Sequence, residues 1–435
     1  MYYSCRACCH YLFFHIYVHV MCLFFMYVCL YANRHRRPQP FWPITNVCCM
    51  PDTVVMERPL PDSNIYVDWF SPRRGTFILT HCHSDHLRGL SGRDWRSGFI
   101  HCSHISAALL VHRGLCSPRC IRPHALEEPF TIEDPLHPRR ELTGYFAEAG
   151  HCPGSVMLVV LGPEYGPILH TGDFRYHDEL LSSPILKRLA SAASTGEGVR
   201  RLFLDMSCAN VESLPLKAVS VNHALDVLDR HEGRRFFLHS RGLGDEELLT
   251  ALADYLSTWS GPKLWFADHH RFGELEVADR SLHSRCALLP DCRLKVMNCR
   301  FIVITNSAQR RADPRLKGLE GVEINPSTMW FLRHCHSNPC MLSGGVWHIL
   351  WSMHSSADEI RSFISFLRCT LADVHPICGT IAEQPGCEGL VVHREKLVVH
   401  PRAPQDAAPG GPLQEMTPLM STQEFLAPGP FADDT

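Results

Sequence analysis

Lysine is nearly missing from this chain: six residues against 36 arginines among 435. The acids outweigh both together, and the formal net charge of −3 excludes a global basic field. A nucleic-acid partner must therefore be drawn by a local groove, and arginine forks must supply the phosphate contacts. CxxC pairs are scarce, and the 21 cysteines, an odd number in a long chain, hold no CxxC…CxxC zinc-ribbon pattern. That spacing excludes a secreted disulfide scaffold and reads as small buried hydrophobes in a reducing compartment. No internal repeat is present. Hydrophobic residues at 45% and charged residues at 20% exclude a fully disordered chain, and the length suits two compact domains with tails.

One long apolar run stands out. Tyr11 to Tyr31, broken only by His15 and His19, can cross a hydrocarbon core, and Arg34, Arg36 and Arg37 follow it. The run has no small-x-small cleavage site, which argues against a signal peptide. It is foreign in composition to the rest, and Met50 and Met56 follow in frame. Residues 1–50 are read as an extension and Pro-containing linker absent from the working protein. A membrane anchor at 11–31 is the alternative, if the segment is translated and retained.

From Ile65 to about Asp205, short apolar runs alternate with Gly/Pro/Asp turns, as in 76–80, 155–161, 167–170 and 201–205, and these predict buried strands. The pattern then predicts helices over 216–230, 246–259 and 358–367 and strands over 236–239, 301–305 and 345–351. From about Pro401 to Thr435, Pro, Ala and Gly without apolar periodicity predict a disordered tail.

The 28 histidines are the anomaly of the composition. A predicted strand runs into His81-Cys82-His83-Ser84-Asp85-His86. The i, i+2 spacing puts both imidazoles on one side, with Asp85 and His86 in the turn that follows. Three imidazoles and a carboxylate within six residues suit a divalent ion: zinc, with manganese or iron as alternatives. The neighbouring Cys82 points to the opposite face and is not read as a ligand. Gly150-His151-Cys-Pro-Gly-Ser155 holds a histidine in a turn before a strand. In His170-Thr-Gly-Asp173-Phe-Arg-Tyr176 a strand ends at an acid. In Trp351-Ser-Met-His354-Ser-Ser356 another histidine precedes a helix that Ser355 or Ser356 would cap.

The order HxHxDH, H, D, H, each at a strand-to-loop junction, resembles the metallo-β-lactamase superfamily from about Ile65 to about His400. Within it, HCHSDH, HCPGSVM (151–157), TGDFRY (171–176), Leu204-Asp205, NPSTMWF (325–331) and MHSSADEIRSFISFL (353–367) are similar to the DNA cross-link repair nucleases, with NPSTMWF most like the Artemis branch. The resemblance implies an α/β fold, a metallo-β-lactamase αββα sandwich with an inserted α/β β-CASP domain. The expected division is 51–205 and 326–400 for the sandwich and 206–325 for the insertion. It implies that His81, His83, His151 and Asp173 hold one metal ion, and that Asp85, His86, Asp173 and His354 hold a second. Asp68, Asp85, Asp173 and Asp205 would be the catalytic acids, with Asp68 and Asp205 orienting ligand histidines. Zinc is expected, one or two divalent ions, with Mg or Mn as activating alternatives. No small-molecule cofactor is expected.

The activity implied is metal-dependent hydrolysis of DNA phosphodiester bonds in interstrand cross-link and double-strand-break repair. Paired ions activate water, so no serine or cysteine nucleophile is required. The implied partners are DNA (single strands, hairpins or ends) and repair proteins. The implied state is a monomer in the nucleus. Arg88, Arg175, Ser240 and Arg241 are the expected nucleic-acid contacts. Trp95 and Trp330 are read as core packing, with base stacking as the alternative.

Two departures stand against the resemblance. Met297 occupies a position where the family shows a histidine in a Val-His-x-Cys strand. The stretch Ser240–Asp245 offers Gly242 and Asp245 where exonuclease members grip a 5′-phosphate. Exonuclease and endonuclease modes therefore both stand. An RNA-processing β-CASP nuclease and a catalytically weak DNA-binding scaffold remain as alternative readings.

Overall fold

Short strands, most of them largely buried, build three sheets. The computed structural model describes residues 60–378, apart from 72–73, 164, 257–262, 335–337 and 370–373. The apolar run at 11–31 and the tail from 401 lie outside the described residues. Among the described residues no helix is long and apolar enough to cross a membrane.

The first sheet is parallel, in the order β1 (Ile65–Val67), β2 (Gly75–Ile78), β3 (Gly98–Ser103), β4 (Ile121–His124). The second contains β5 (Phe130–Ile132), β6 (Leu142–Glu148), β7 (Val156–Leu161), β8 (Ile168–His170) and β9 (Arg201–Asp205), joined at its edge by a strand from the far end of the chain. Strand β7 explains how the two sheets meet. Val156, Leu158 and Val160 face Ile65 and Ile78 of the first sheet, while Met157 and Val159 face away. Behind the first sheet lies α1 (His104–His112), with Leu109 and Leu110 in its core. Behind the second lie α2 (Pro184–Ala192) and a late helix, Ala357–Leu367, which brings Ile360, Phe363, Ile364 and Leu367 to it. The result is four layers: helix, sheet, sheet, helix. It is a mixed α/β architecture, as the sequence pattern predicts.

Between these halves the chain builds a third sheet of seven strands: β10 (Phe236–His239), β11 (Leu264–Phe266), β12 (Cys286–Leu288), β13 (Phe301–Ile304), β14 (Val322–Pro326), β15 (Cys340–Ser343) and β16 (Val346–Ile349). Their spatial order is β12-β11-β13-β10-β14-β16-β15, and all are parallel except β15. In β13, Phe301 and Val303 enter one core while Ile302 and Ile304 enter the other, so both faces are covered. The helices are α3 (Lys217–Arg230), α4 (Glu246–Tyr255), α5 (His269–Ala278), α6 (Arg280–Ser284), α7 (Arg293–Val296), α8 (Ser307–Ala312) and α9 (Thr328–His334). The chain returns through α10 (Ala357–Leu367) to β17 (Val374–Cys378), which pairs with β9. The sequence-based boundary at 325/326 falls inside β14, and β15 and β16 pair within the seven-stranded sheet.

Glu323 of β14 carries a buried polar knot in this sheet. Its carboxylate accepts from His239 Nε2 at 3.0 Å, from Ser307 Oγ and from Arg310. Burial opposes its charge, but these donors bring its carboxyl down to about 2. A depressed carboxylate stabilises the fold above its ordinary value near 4.5, and that contribution is lost as pH falls towards 2. We expect Glu323→Gln to cost ~3 kcal/mol at pH 7 and much less at pH 3. Urea midpoints at the two pH values measure it, and an equal cost at both would contradict the assignment.

Candidate metal centre

The HxHxDH segment starts where β2 ends. Leu79 N still donates to His101 O of the first sheet, and Thr80 O already accepts from Val156 N of the second, so the segment is stitched between the two. His81 and His83 follow in extended chain, and Ser84–His86 form one turn of 3₁₀ helix. Asp173 follows β8 through Gly172, whose φ is +54° and whose Cβ would stand 2.7 Å from Thr80 Cβ, so only glycine permits this approach. His151 lies in a turn whose backbone N–H donates to Ser155 Oγ at 3.2 Å. His354 sits just before α10, where Ser356 and Glu359 form a capping box and Ser355 Oγ accepts from Tyr176 N.

Five imidazoles converge, and each has one ring nitrogen already committed. His81 Nδ1 meets Thr80 Oγ1 at 3.0 Å, a hydroxyl that donates to Asp68 Oδ2 at 2.7 Å. His83 Nε2 donates to Leu243 O at 3.0 Å, and His151 Nδ1 to Met353 O at 2.8 Å. His86 Nδ1 lies 2.8 Å from Asp68 Oδ2, and His354 Nδ1 lies 2.8 Å from Asp205 Oδ2. A carbonyl or carboxylate can only accept, so these partners set the tautomers. The opposite nitrogens then point at one another: His81 Nε2 is 3.1 Å, and His151 Nε2 3.0 Å, from His83 Nδ1.

Three imidazole lone pairs facing each other across such distances are repulsive unless a cation sits among them. Tetrahedral bonds of about 2.0–2.1 Å space ligand nitrogens by roughly 3.3 Å, so the set fits a divalent ion. Asp173 Oδ2 completes it, at 3.8 Å from His81 Nε2 and 3.6 Å from His151 Nε2. The donor atoms of these four residues all lie within 4.8 Å of one another. The same Oδ2 is 3.3 Å from His86 Nε2, so Asp173 stands between two groups of donors. Asp85 is at the open rim, its side chain 64% exposed and its Oδ2 3.6 Å from His86 Nε2. Asp68 and Asp205 also fall within ligand range of neighbouring histidines, yet they face the outer Nδ1 atoms and hold the rings.

Charge divides the donors in two. Burial, then His86 and His151, hold His81 well below the usual imidazole range; burial lowers His83; burial with His354 brings His151 to about 3. These three are neutral imidazoles. Burial also works against charge on His86 and His354, but Asp173 and Asp68 raise the first, and Asp205 raises the second to about 9. Burial opposes ionisation of Asp173 too, and His86 overcomes it, holding the carboxyl well below its usual range.

The sequence comparisons agree with this chemistry. The 5′ exonuclease Apollo of Gallus gallus is 37% identical over 205 residues, 46% of this chain and 41% of that protein. Its Danio rerio counterpart is 30% identical over 322 residues, 71% of this chain and 50% of that protein. The DNA cross-link repair protein pso2/snm1 of Schizosaccharomyces pombe is 26% identical over 196 residues, 42% and 31% of the two chains. The chain is a relative of the DNA cross-link repair nucleases. Protein artemis of Mus musculus is 24% identical over 368 residues, 77% of this chain and 48% of that protein. The chain spans half or less of the length of these cross-link repair relatives. No protein-family model matches it.

The expected nucleic-acid contacts separate. Arg88 and Arg241 are exposed. Arg175, expected as a nucleic-acid contact, is 3% exposed and engaged internally: it donates to His354 O and Pro215 O and pairs with Glu359 at 3.0 Å. It braces the His354 loop. Ser240 is also buried, its Oγ accepting from Arg271 Nε at 3.3 Å. Met297 ends the short helix α7 rather than lying in a strand, and it is 55% exposed. Trp330 stacks on His348 and on His334, and Trp95 is buried and donates to Phe70 O, so both are engaged in packing. Sequence reasoning missed the acceptors Leu243 O and Met353 O, since a main-chain carbonyl has no signature in a residue pattern.

Proposed function

We propose that this chain is a metal-dependent DNA nuclease of cross-link and double-strand-break repair, built as a metallo-β-lactamase sandwich carrying a β-CASP insertion and working in the nucleus. The observation that carries the reading is the set of five imidazoles, each with an outer ring nitrogen already engaged, three of which (His81, His86 and His151) bring the other nitrogen within 3.8 Å of Asp173 Oδ2. We take the sandwich, among the described residues, as 60–205 plus 352–378, and the seven-stranded sheet with its helices as the insertion. His81, His83, His151 and Asp173 would hold one ion, and Asp85, His86, Asp173 and His354 a second. Zinc suits the imidazole-rich first set, and Mg or Mn suits the more carboxylate-rich second.

Divalent ions held by these residues would supply Lewis acidity and a lowered pKa for water, which would dispense with a protein nucleophile. The chain's own residues do the rest. Asp68 and Asp205 fix the rings of His86 and His354. Asp85 Oδ2, open to solvent beside His86, is placed to accept a proton from the attacking water. Arg88 and Arg241 supply cations for substrate phosphates.

The name of the Apollo relatives favours a 5′ exonuclease. The buried Ser240 favours an endonuclease, because its hydroxyl is already engaged and cannot grip a terminal phosphate. Asp245 opposes such a grip less than an ordinary aspartate, since desolvation and the adjacent Glu246 push its carboxyl up to about 7.

The test is cleavage of end-labelled single-stranded, hairpin and 5′-phosphorylated DNA, with matched RNA, by the full chain. We expect chelator to abolish cleavage and added divalent ion to restore it. A one-nucleotide ladder from the 5′ end identifies an exonuclease, and discrete internal products identify an endonuclease. Cleavage confined to RNA, or none by the metal-loaded chain, would reject the proposal. In DNA binding, the Arg88→Ala/Arg241→Ala chain should reduce the log–log salt slope by ~1.4–1.8.

A further inference from the structure

Helix α5 lies in the seven-stranded half and supplies no donor to the centre, yet two relays run from it to the His81–His83 segment. In the first, Arg271 Nη2 donates to Glu246 Oε1 at 2.7 Å, and Glu246 Oε2 accepts from Gly244 N at 2.6 Å. The residue before Gly244 is Leu243, whose carbonyl accepts from His83 Nε2 and whose side chain is buried in the core behind the first sheet. The loop has no slack. Gly244 has φ of +111°, a Cβ there would collide with Met353 Sδ, and its carbonyl accepts from Trp351 Nε1. In the second relay, Glu274 pairs with Arg113 Nε at 2.7 Å, and Arg113 Nη1 donates to Cys82 O, the carbonyl between the two ligand histidines.

We propose that Arg271 and Glu274, one turn apart on α5, are positioning residues for the His81–His83 ligand pair, a proposal that rests on the metal-centre reading above. Arg271 is 4% exposed and Glu246 5%, and Arg271 Nη1 has no partner among the described residues. A buried ion pair with an unsatisfied N–H is a poor source of stability. Its geometry accounts for it instead: it fixes the carbonyl that sets the tautomer and tilt of His83. Outer partners of metal ligands typically contribute 10–100-fold in metal affinity.

The experiment uses the full chain, stripped of metal and titrated with Zn²⁺ against a chromophoric chelator, and with Co²⁺ for the visible spectrum of its ligand field. The variants are Glu274→Gln and the double change Glu246→Gln/Arg271→Met, which removes both buried charges together so that neither is stranded. His83→Ala is the background for a double-mutant cycle. We expect each variant to bind one Zn²⁺ ~10-fold or more weakly and to alter the Co²⁺ spectrum, and the Glu246→Gln/Arg271→Met change, whose relay ends on His83, to lose little further affinity once His83 is alanine. Unchanged affinity and spectrum with a lowered thermal midpoint would overturn the proposal and leave a purely structural ion pair. Equal losses with and without His83 would overturn it as well. A wild-type chain that binds no ion rejects the metal-centre reading and the proposal together, whereas a wild type and variants that bind equally reject the proposal alone.

Discussion

Asp173→Ala is expected to lower DNA cleavage by ~10³-fold or more, because ion-assisted charge stabilisation is worth several kcal/mol and each 1.36 kcal/mol is a factor of ten. The size of the effect follows from position. One oxygen of this buried carboxylate lies within 3.8 Å of His81, His86 and His151, so no other acid can take its place between the two donor groups. Alanine also removes the main anion that stabilises charge on His86, leaving only Asp68 to do so. Bound metal per chain and the cleavage rate should fall together. A variant that retains its full complement of ion and cleaves within tenfold of wild type would contradict the assignment of Asp173 to the space between the groups.

The second large effect comes from Asp205→Asn, a change of one atom. Asp205 uses both oxygens: Oδ2 faces His354 Nδ1 and accepts from Phe174 N at 3.2 Å, while Oδ1 accepts from Ser207 N at 2.9 Å. An asparagine has one acceptor and one donor group, so one side must place N–H against N–H. If the amide turns towards His354, the imidazole loses its partner and the proton can move to the nitrogen meant for the ion. Its raised value of about 9 falls as well, since the Asp205 carboxylate is what overcomes burial. The expected loss is ~10–100-fold in metal affinity and in rate. It is checked by calorimetric titration alongside His354 ring resonances. An unchanged ring titration in the variant would contradict the clamp.

The cluster of candidate donors was legible because ligation needs side chains of particular kinds, and HxHxDH places four of them within one short stretch. The helix starting at Ala357 was legible for a similar reason, since Ser356 and Glu359 form a local capping box. Arg175 was misread because its neighbours in sequence are site residues. What decides its role is Glu359 and two carbonyls from distant segments, and no local pattern announces them. The extent of the seven-stranded sheet was hidden for another reason. NPSTMWF begins within β14, which lies centrally in the seven-stranded sheet, and two further strands follow before the chain leaves that sheet. The positioning role of α5 depends on contacts across two halves and has no periodicity to reveal it.

Leu243 and Met353 give the molecule a checkpoint in chain order. His81, His83, His86, His151 and Asp173 all belong to the first 173 residues, yet the main-chain oxygens that orient His83 and His151 arrive only with residues 243 and 353. No N-terminal fragment that stops short of Met353 can contain a completely oriented set of donors, however many of the ligands it carries.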